Sequence, residues 1–205
     1  MPRKTIFHIV SHAAHDRGGT VVVGRLNGIH LSLPGRAQAR DLALYFARED
    51  IAAVITSPRE RAQETADPIA QKLGQEMRVS TALDEINMGG WQGRSFGELA
   101  GDADWCRWNA HRSMARPPRG ETMADVLARI LGELLHLHAT ACGAQFVLVS
   151  HAEPIRALLL HVLGLSADSW SRIEIEAASI STVAMDDDGG RILRMNMPAL
   201  MTVPA

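Results

Sequence analysis

With 205 residues, 46% hydrophobic and 21% charged, the chain is long enough for one domain with a sizeable core and has the make-up of an ordinary soluble protein. A formal net charge of −2 gives no long-range attraction to nucleic acid or to an anionic membrane, so neither is expected as a partner and any bound anion must be met by local basic groups. Cys106 and Cys142 lie outside any CxxC or Cys/His ligand spacing, which argues against a disulfide framework and a structural zinc.

The opening Met-Pro-Arg-Lys leads into only about six apolar positions, and no run of about eighteen follows, so the sequence predicts neither an export signal nor a membrane span and reads as cytoplasmic. Ile6–Val10 is a buried strand that ends in Ser11-His12. A glycine-rich loop through Gly18-Gly19 and Gly24 follows, and Pro34-Gly35 opens a helix carrying Ala39, Leu42, Ala43 and Phe46 on one face. Ala52–Thr56 is a second strand, stopped at Ser57-Pro58-Arg59-Glu60, where Ser57 suits a helix cap, Pro58 the first helical position and Glu60 the exposed amides. That helix runs to about Leu73-Gly74.

Residues 89–120, rich in Gly, Trp, Arg and Pro, read as a loop or lid insertion within a single domain spanning 1–205. From Glu121-Thr122 a long amphipathic helix carries Val126, Ile130, Leu134, Leu137 and Ala141, closed by Gly143. A third strand, Phe146–Ser150, delivers His151, and a helix from about Pro154 to Leu163 comes next. Ser179–Met185 and Arg191–Met195 flank Asp186–Gly190 as a hairpin. Alternating strands and helices imply a three-layer α/β/α sandwich, its sheet mainly parallel with an antiparallel edge. Ligands of such sheets bind at the carboxyl ends of the strands, where His12, the Ser57–Arg61 helix start and His151 are expected to meet as an oxyanion site.

These residues resemble the histidine phosphatase (phosphoglycerate mutase-like) superfamily, in order over nearly the whole chain. Val10-Ser11-His12-Ala13 matches the family's strand-Arg-His-Gly, and Gly24 to Ala39, with Arg25, Asn27, Leu31, Ser32, Gly35 and Gln38, matches the segment after it. Ser57-Pro58-Arg59-Glu60-Arg61-Ala62-Gln63-Glu64-Thr65-Ala66 is complete. Leu83-Asp84-Glu85 with Gly89 and Trp91-Gln92-Gly93 matches the acid-bearing loop, Gly120-Glu121 the pair before the long helix, and Val149-Ser150-His151-Ala152 the second histidine.

The resemblance implies a phosphoglycerate mutase-like fold and a two-step phosphoryl transfer on a small phosphorylated substrate, with inorganic phosphate as product and no metal or other cofactor. His12 would be the nucleophile and Glu85 the acid and then the base, with His151 and Arg61 holding the phosphoryl oxygens. Ser11, Arg25, Asn27, Arg61 and His151 are the expected substrate-binding positions. A planar arginine fork and a cationic imidazole suit a transition state that needs positioning and charge. Mutase activity is disfavoured by the short span between Glu85 and His151, which has little room for the helical cover that retains a departing substrate.

One position departs from the pattern. Ser11 replaces an arginine that carries charge and five donors with a single hydroxyl. Losing such a contact costs about 1.5–3 kcal/mol of binding, or about a hundred- to thousand-fold in rate, which slows an enzyme without abolishing it. Arg25, Arg17, His15 and Arg119 are candidates to fill the space, and Ala13 in place of glycine is tolerated wherever the backbone is not left-handed. The alternatives are an impaired family member that binds a phosphorylated metabolite or partner, and a serine hydrolase using Ser95 of Gly93-Arg94-Ser95-Phe96-Gly97, which would need a strand-to-helix elbow that Met88–Gln92 is poorly suited to supply. His8, His12, His15 and Asp16 match no accepted metal spacing, His136 and His138 cannot share a helix face, and Asp186–Asp188 reads as a solvated turn. Trp91, Trp105 and Trp108 read as core, lid or pocket wall. A homodimer is one option for its assembly.

Overall fold

The computed structural model describes residues 4–199. Its elements follow in the order β1 (Thr5–Ser11), α1 (Leu33–Phe46), β2 (Ala53–Thr56), α2 (Glu60–Leu73), β3 (Met77–Val79), α3 (Phe96–Leu99), α4 (Ala103–Ala110), α5 (Met123–Thr140), β4 (Gln145–Ser150), α6 (Ala152–Val162), β5 (Ile180–Asp186) and β6 (Gly189–Met197). They form one six-stranded sheet in the order β3-β2-β4-β1-β5-β6. The pairs β2/β3, β2/β4 and β1/β4 are parallel, and β1/β5 and β5/β6 are antiparallel.

The strands are apolar runs because both faces of the sheet are covered. Side chains alternate across a strand, so Val10, Val54, Val147 and Val149 pack with Leu42 and Phe46 of α1 and Ala62 and Ile69 of α2. Their neighbours Phe7, Ile9, Phe146 and Leu148 pack with Ile130 and Leu134 of α5 and Ile155 and Leu159 of α6. Burying a side chain of this size stabilises by about 1.5–3 kcal/mol, which makes these two layers the rigid frame for whatever the strand ends carry. A third cluster, with Trp91, Trp108, Leu99 and Ile86 almost fully buried, lies under residues 89–120.

Residues 89–120 are more ordered than a loop reading suggests. Their ends are clasped by Gly90 N–H to Pro118 O at 2.8 Å and Glu121 N–H to Asn87 O at 2.9 Å. Gly89 permits the clasp, because its φ is +51° and a Cβ there would stand 2.0 Å from the Pro118 carbonyl oxygen. Between the ends lie α3 and α4, each begun by a side-chain cap, Ser95 with Glu98 and Asp102 with the Asp104 and Trp105 amides.

Three local readings need correction. Ser57 does not cap α2: the helix begins at Glu60 with Arg59 at the cap position, because the Ser57 hydroxyl is taken up by tertiary partners described below. Strand β3 has no signature in the sequence, being only three residues long with Arg78 and Val79 exposed. Helix α6 begins at Ala152, two residues before Pro154, so His151 itself is its cap residue. Among the described residues no helix is long and apolar enough to cross a membrane.

Candidate active site

Strands β1, β4 and β2 lie side by side and end nearly in register, Ser11 opposite Ser150 and Thr56 opposite Val149. The His12 amide donates to Ser150 O and the Ser57 amide to Val149 O, each at 2.9 Å, so the backbone ladder continues to the site residues themselves. The His12 ring therefore stands 5.1 Å from that of His151, at an interplanar angle of 61°, and 5.3 Å from that of His15.

His12 Nδ1 lies 2.9 Å from the carbonyl oxygen of Ala13. A carbonyl only accepts, so Nδ1 carries the proton and Nε2 carries the lone pair. Burial, reinforced by the Arg61 guanidinium, lowers the His12 pKa to about 3, so the ring is neutral at physiological pH. Ala13 holds this loop in place. Its amide donates to Thr65 Oγ1 at 2.9 Å, while the Thr65 hydroxyl donates to Arg61 O at 2.7 Å. Ala13 is absent from the positive-φ residues, so the Gly-to-Ala change carries no backbone strain. Gly35 of α1 is required for a different reason: a Cβ there would meet the Ala14 carbonyl oxygen at 2.0 Å.

His151 is fully buried and shares a 2.7 Å hydrogen bond with Ser57 through Nε2. Ser57 Oγ also accepts from the Arg59 amide at 3.3 Å and donates to Asp84 Oδ1 at 3.4 Å, which commits its own proton and makes His151 Nε2 the donor. Burial, then Arg61 and His12, hold the His151 pKa well below the ordinary value. Arg61 is 1% exposed; Nη2 donates to Gly24 O at 2.9 Å. Its Nε and Nη1, together with His151 Nδ1, are buried polar atoms with no hydrogen-bond partner in the protein. Buried polar groups are normally satisfied, so three such atoms around a neutral imidazole mark a place built for an anion.

Glu85 follows the one-turn helix Thr81–Leu83. Its pKa is raised to about 7, first by burial and then by Glu153, with Arg61 opposing. Two guanidinium groups hold its backbone: Arg25 Nε donates to Glu85 O at 2.6 Å and Arg129 Nη2 at 3.2 Å. Arg25 and Asn27, expected at the substrate, are used elsewhere. Arg25 pairs with Asp84 at 3.2 Å and Glu121 at 2.8 Å. Exposed Asn27 accepts from Arg59 Nη1 at 2.9 Å, while Arg59 Nε pairs with Asp84 at 3.0 Å. Ser11 is buried between β4 and β5, its amide bonded to Ser179 O. Of the groups named as stand-ins for an arginine at position 11, His15 brings its ring to the site. Arg119 lies over Gly90, and the exposed Arg17 donates its amide to His15 Nδ1 at 3.2 Å.

A cavity of about 510 Å3 opens beside His15 and Glu85. Its far wall holds Glu153, whose carboxylate takes Arg112 at 2.5 Å and Arg156 at 2.6 Å. Glu153 and Arg112 escaped the sequence reading. The first sits two residues after a strand-end histidine in the opening turn of α6, a usable signal, whereas nothing periodic singles out Arg112. Ser95 is no nucleophile elbow: its hydroxyl donates to Glu98 Oε2 at 2.7 Å in the cap of α3, so the serine-hydrolase reading fails on geometry. His8 turns away from the site toward Thr182 and Gln145. Among the described residues no group of three or more His, Cys, Asp or Glu side chains is placed to hold a metal ion.

Comparison with known proteins agrees with this geometry. The uncharacterized protein Rv0525 of Mycobacterium tuberculosis is 35% identical over 195 residues, covering 92% of this chain and 94% of that one. Phosphoserine phosphatase 1 of Hydrogenobacter thermophilus is 29% identical over 180 residues, 85% of each chain. The native structure of the mycobacterial glucosyl-3-phosphoglycerate phosphatase superposes with a TM-score of 0.84 at 26% identity, covering 96% of this chain and all of that one. The profile of the histidine phosphatase superfamily (branch 1) matches residues 7–198. Two strand-end histidines facing each other over an arginine thus have a family to account for them, and the chain belongs to the histidine phosphatase superfamily.

Proposed function

We propose that the protein hydrolyses a small phosphomonoester through a phosphohistidine at His12. The observation that supports this most is the trio of unpartnered buried nitrogens, Arg61 Nε and Nη1 and His151 Nδ1, beside a neutral His12. In the first step His12 Nε2 bonds to phosphorus, the phosphorus–oxygen bond to the alcohol breaks, and the protonated Glu85 carboxyl passes its proton to the departing oxygen. In the second, the Glu85 carboxylate takes a proton from water as the water oxygen bonds to phosphorus and the phosphorus–nitrogen bond breaks. Inorganic phosphate leaves and both residues return to their starting states. Arg61 and His151, which gains a proton at Nδ1 when a dianion sits before it, hold the oxygens on which charge is spread. A carboxyl with a pKa near 7 serves both as acid and as base at neutral pH.

The buried hydroxyl of Ser11, where the resembled motif has arginine, favours a second reading as a binder of phosphorylated molecules with little turnover. One experiment separates the two. The protein is mixed with p-nitrophenyl phosphate, quenched within one turnover and digested. An acid-labile phosphoryl group on the peptide bearing His12, absent from His12→Ala, together with steady release of phosphate, is the expected result. Tight binding of phosphate with neither adduct nor turnover overturns the hydrolase reading.

A further inference from the structure

The chemical character of the leaving group is written in the cavity beside Glu85. Among the described residues that line it, Arg112 is the only arginine or lysine. That cation is buried, paired with Glu153 through Nη1 and stacked on tryptophan, its guanidinium 3.8 Å from the ring centroid of Trp170 and 5.2 Å from that of Trp108, while its Nε has no hydrogen-bond partner in the protein. Glu153 is shared in turn with Arg156, whose Nε is bound to Ile173 O. His15 has its pKa lowered by burial and by Arg61, so it adds no charge at neutral pH.

The remaining walls are apolar. Val21 and Val22 come from the glycine-rich loop, which is fastened to the 89–120 segment by paired bonds, Val22 N–H to Arg94 O and Gly93 N–H to Val22 O, each 2.9 Å. Ile86 and Met88 follow Glu85 directly, and Phe96 and Trp105 close the side, their ring centroids 6.1 Å apart. Phe96 is 42% exposed and so offers ring surface to an occupant of the cavity.

We infer that this cavity receives the alcohol half of the substrate and selects phosphomonoesters of bulky apolar alcohols over those of small polar alcohols. The inference rests on the hydrolase reading above and narrows its substrate class. Selection follows from transition-state binding: apolar surface is removed from water at Phe96 and Trp105 while the phosphoryl group is held by Arg61 and His151.

The test compares esters of unactivated alcohols, so that leaving-group reactivity does not decide the result. 3-Phenylpropyl phosphate is set against O-phosphoserine and 3-phosphoglycerate, and kcat/KM is expected to favour the first by about tenfold or more. Phe96→Ser and Trp105→Ala should each raise KM for 3-phenylpropyl phosphate severalfold, with kcat little changed and with no rise in KM for O-phosphoserine. Because Phe96 is partly exposed, its variant keeps the test valid where Trp105→Ala fails to fold. Equal or better turnover of the small polar esters overturns the leaving-group assignment and leaves the hydrolase reading standing. Absence of a His12 adduct with every ester overturns both.

Discussion

Arg25 Nε donates to the backbone carbonyl of Glu85 at 2.6 Å while its Nη2 reaches Glu121 at 2.8 Å, so the residue that follows the glycine-rich loop fixes the residue proposed as acid. Glu121 is held in turn by Arg129, which also donates to Ala82 O at 2.8 Å, and the acid loop is pinned from two sides by guanidinium forks. A carboxyl that must pass a proton to one oxygen cannot wander, because displacement by about 1 Å costs about a hundredfold in rate.

Arg25 is accordingly a positioning residue. Arg25→Met should lower stability by about 1–3 kcal/mol, less than for a fully buried pair, because Asp84 keeps Arg59 and Glu121 keeps Arg129. It should lower kcat more than it raises KM. Arg25→Lys should restore part of the stability and little of kcat, since an ammonium cannot span both carboxylates and the carbonyl. Urea unfolding alongside steady-state kinetics checks both, and equal rescue of stability and kcat by lysine would count against positioning.

The proton inventory predicts the pH dependence of the first chemical step. His12, the proposed nucleophile, is unprotonated above its pKa of about 3, and Glu85, the proposed acid, holds its proton below its pKa of about 7. The single-turnover rate of phosphoryl transfer to His12 from a saturating alkyl phosphate should stay near its maximum in weakly acidic solution. It should then fall about tenfold per unit above pH 7. Glu85→Gln should remove the alkaline limb and slow the step by about a hundred- to ten-thousandfold. Rapid-quench measurement across the pH range reads this directly, and an alkaline limb that survives in Glu85→Gln assigns the acid elsewhere.

Arg61 illustrates binding strength kept at the expense of the empty protein. Two of its nitrogens are buried without partners, and an unsatisfied buried donor carries a desolvation cost that an apolar side chain of similar length avoids. Arg61→Met should therefore melt no lower than wild type in phosphate-free buffer, even though the bond to Gly24 O is lost. Millimolar inorganic phosphate should raise the melting temperature of wild type by mass action and leave that of the variant unmoved. Thermal unfolding with and without phosphate decides it, and an equal phosphate response in both proteins removes Arg61 from the anion site.

Much of this arrangement was legible in the sequence because strand ends are legible. Apolar runs of β-branched residues locate β1, β2 and β4, and parallel pairing then forces His12, Ser57 and His151 to one edge. Ser57 was found for a mistaken reason: a serine before proline reads as a cap by local rules, whereas its hydroxyl serves His151, 94 residues away. The partners of Arg25 and Asn27 were not legible, because pairing with Asp84, Glu121 and Arg59 is set by packing that no spacing encodes. Residues 89–120 hid a small core of Trp91, Trp108 and Leu99, since a chain that folds back between glycines shows no periodicity.

Stability should depend on pH through two opposing contributions. His8, His12, His15 and His151 have folded pKa values below the ordinary 6.5, so the stability they contribute is present above about pH 6.5 and is lost as pH falls below it. Glu85 acts in the other sense: its folded pKa of about 7 exceeds the ordinary 4.5, so its contribution is full below about pH 4.5 and is lost as pH rises through 7. Four groups against one make the protein less stable on acidification, with Glu85 softening the loss. Glu85→Gln removes the softening and also removes a buried charge at alkaline pH. The variant should exceed wild type by up to about 3 kcal/mol at pH 8, lose that advantage by pH 5, and show the steeper acid decline between. Denaturant unfolding at pH 5, 6.5 and 8 measures the difference, and a pH-independent gap between the two proteins would show that Glu85 does not titrate near neutrality.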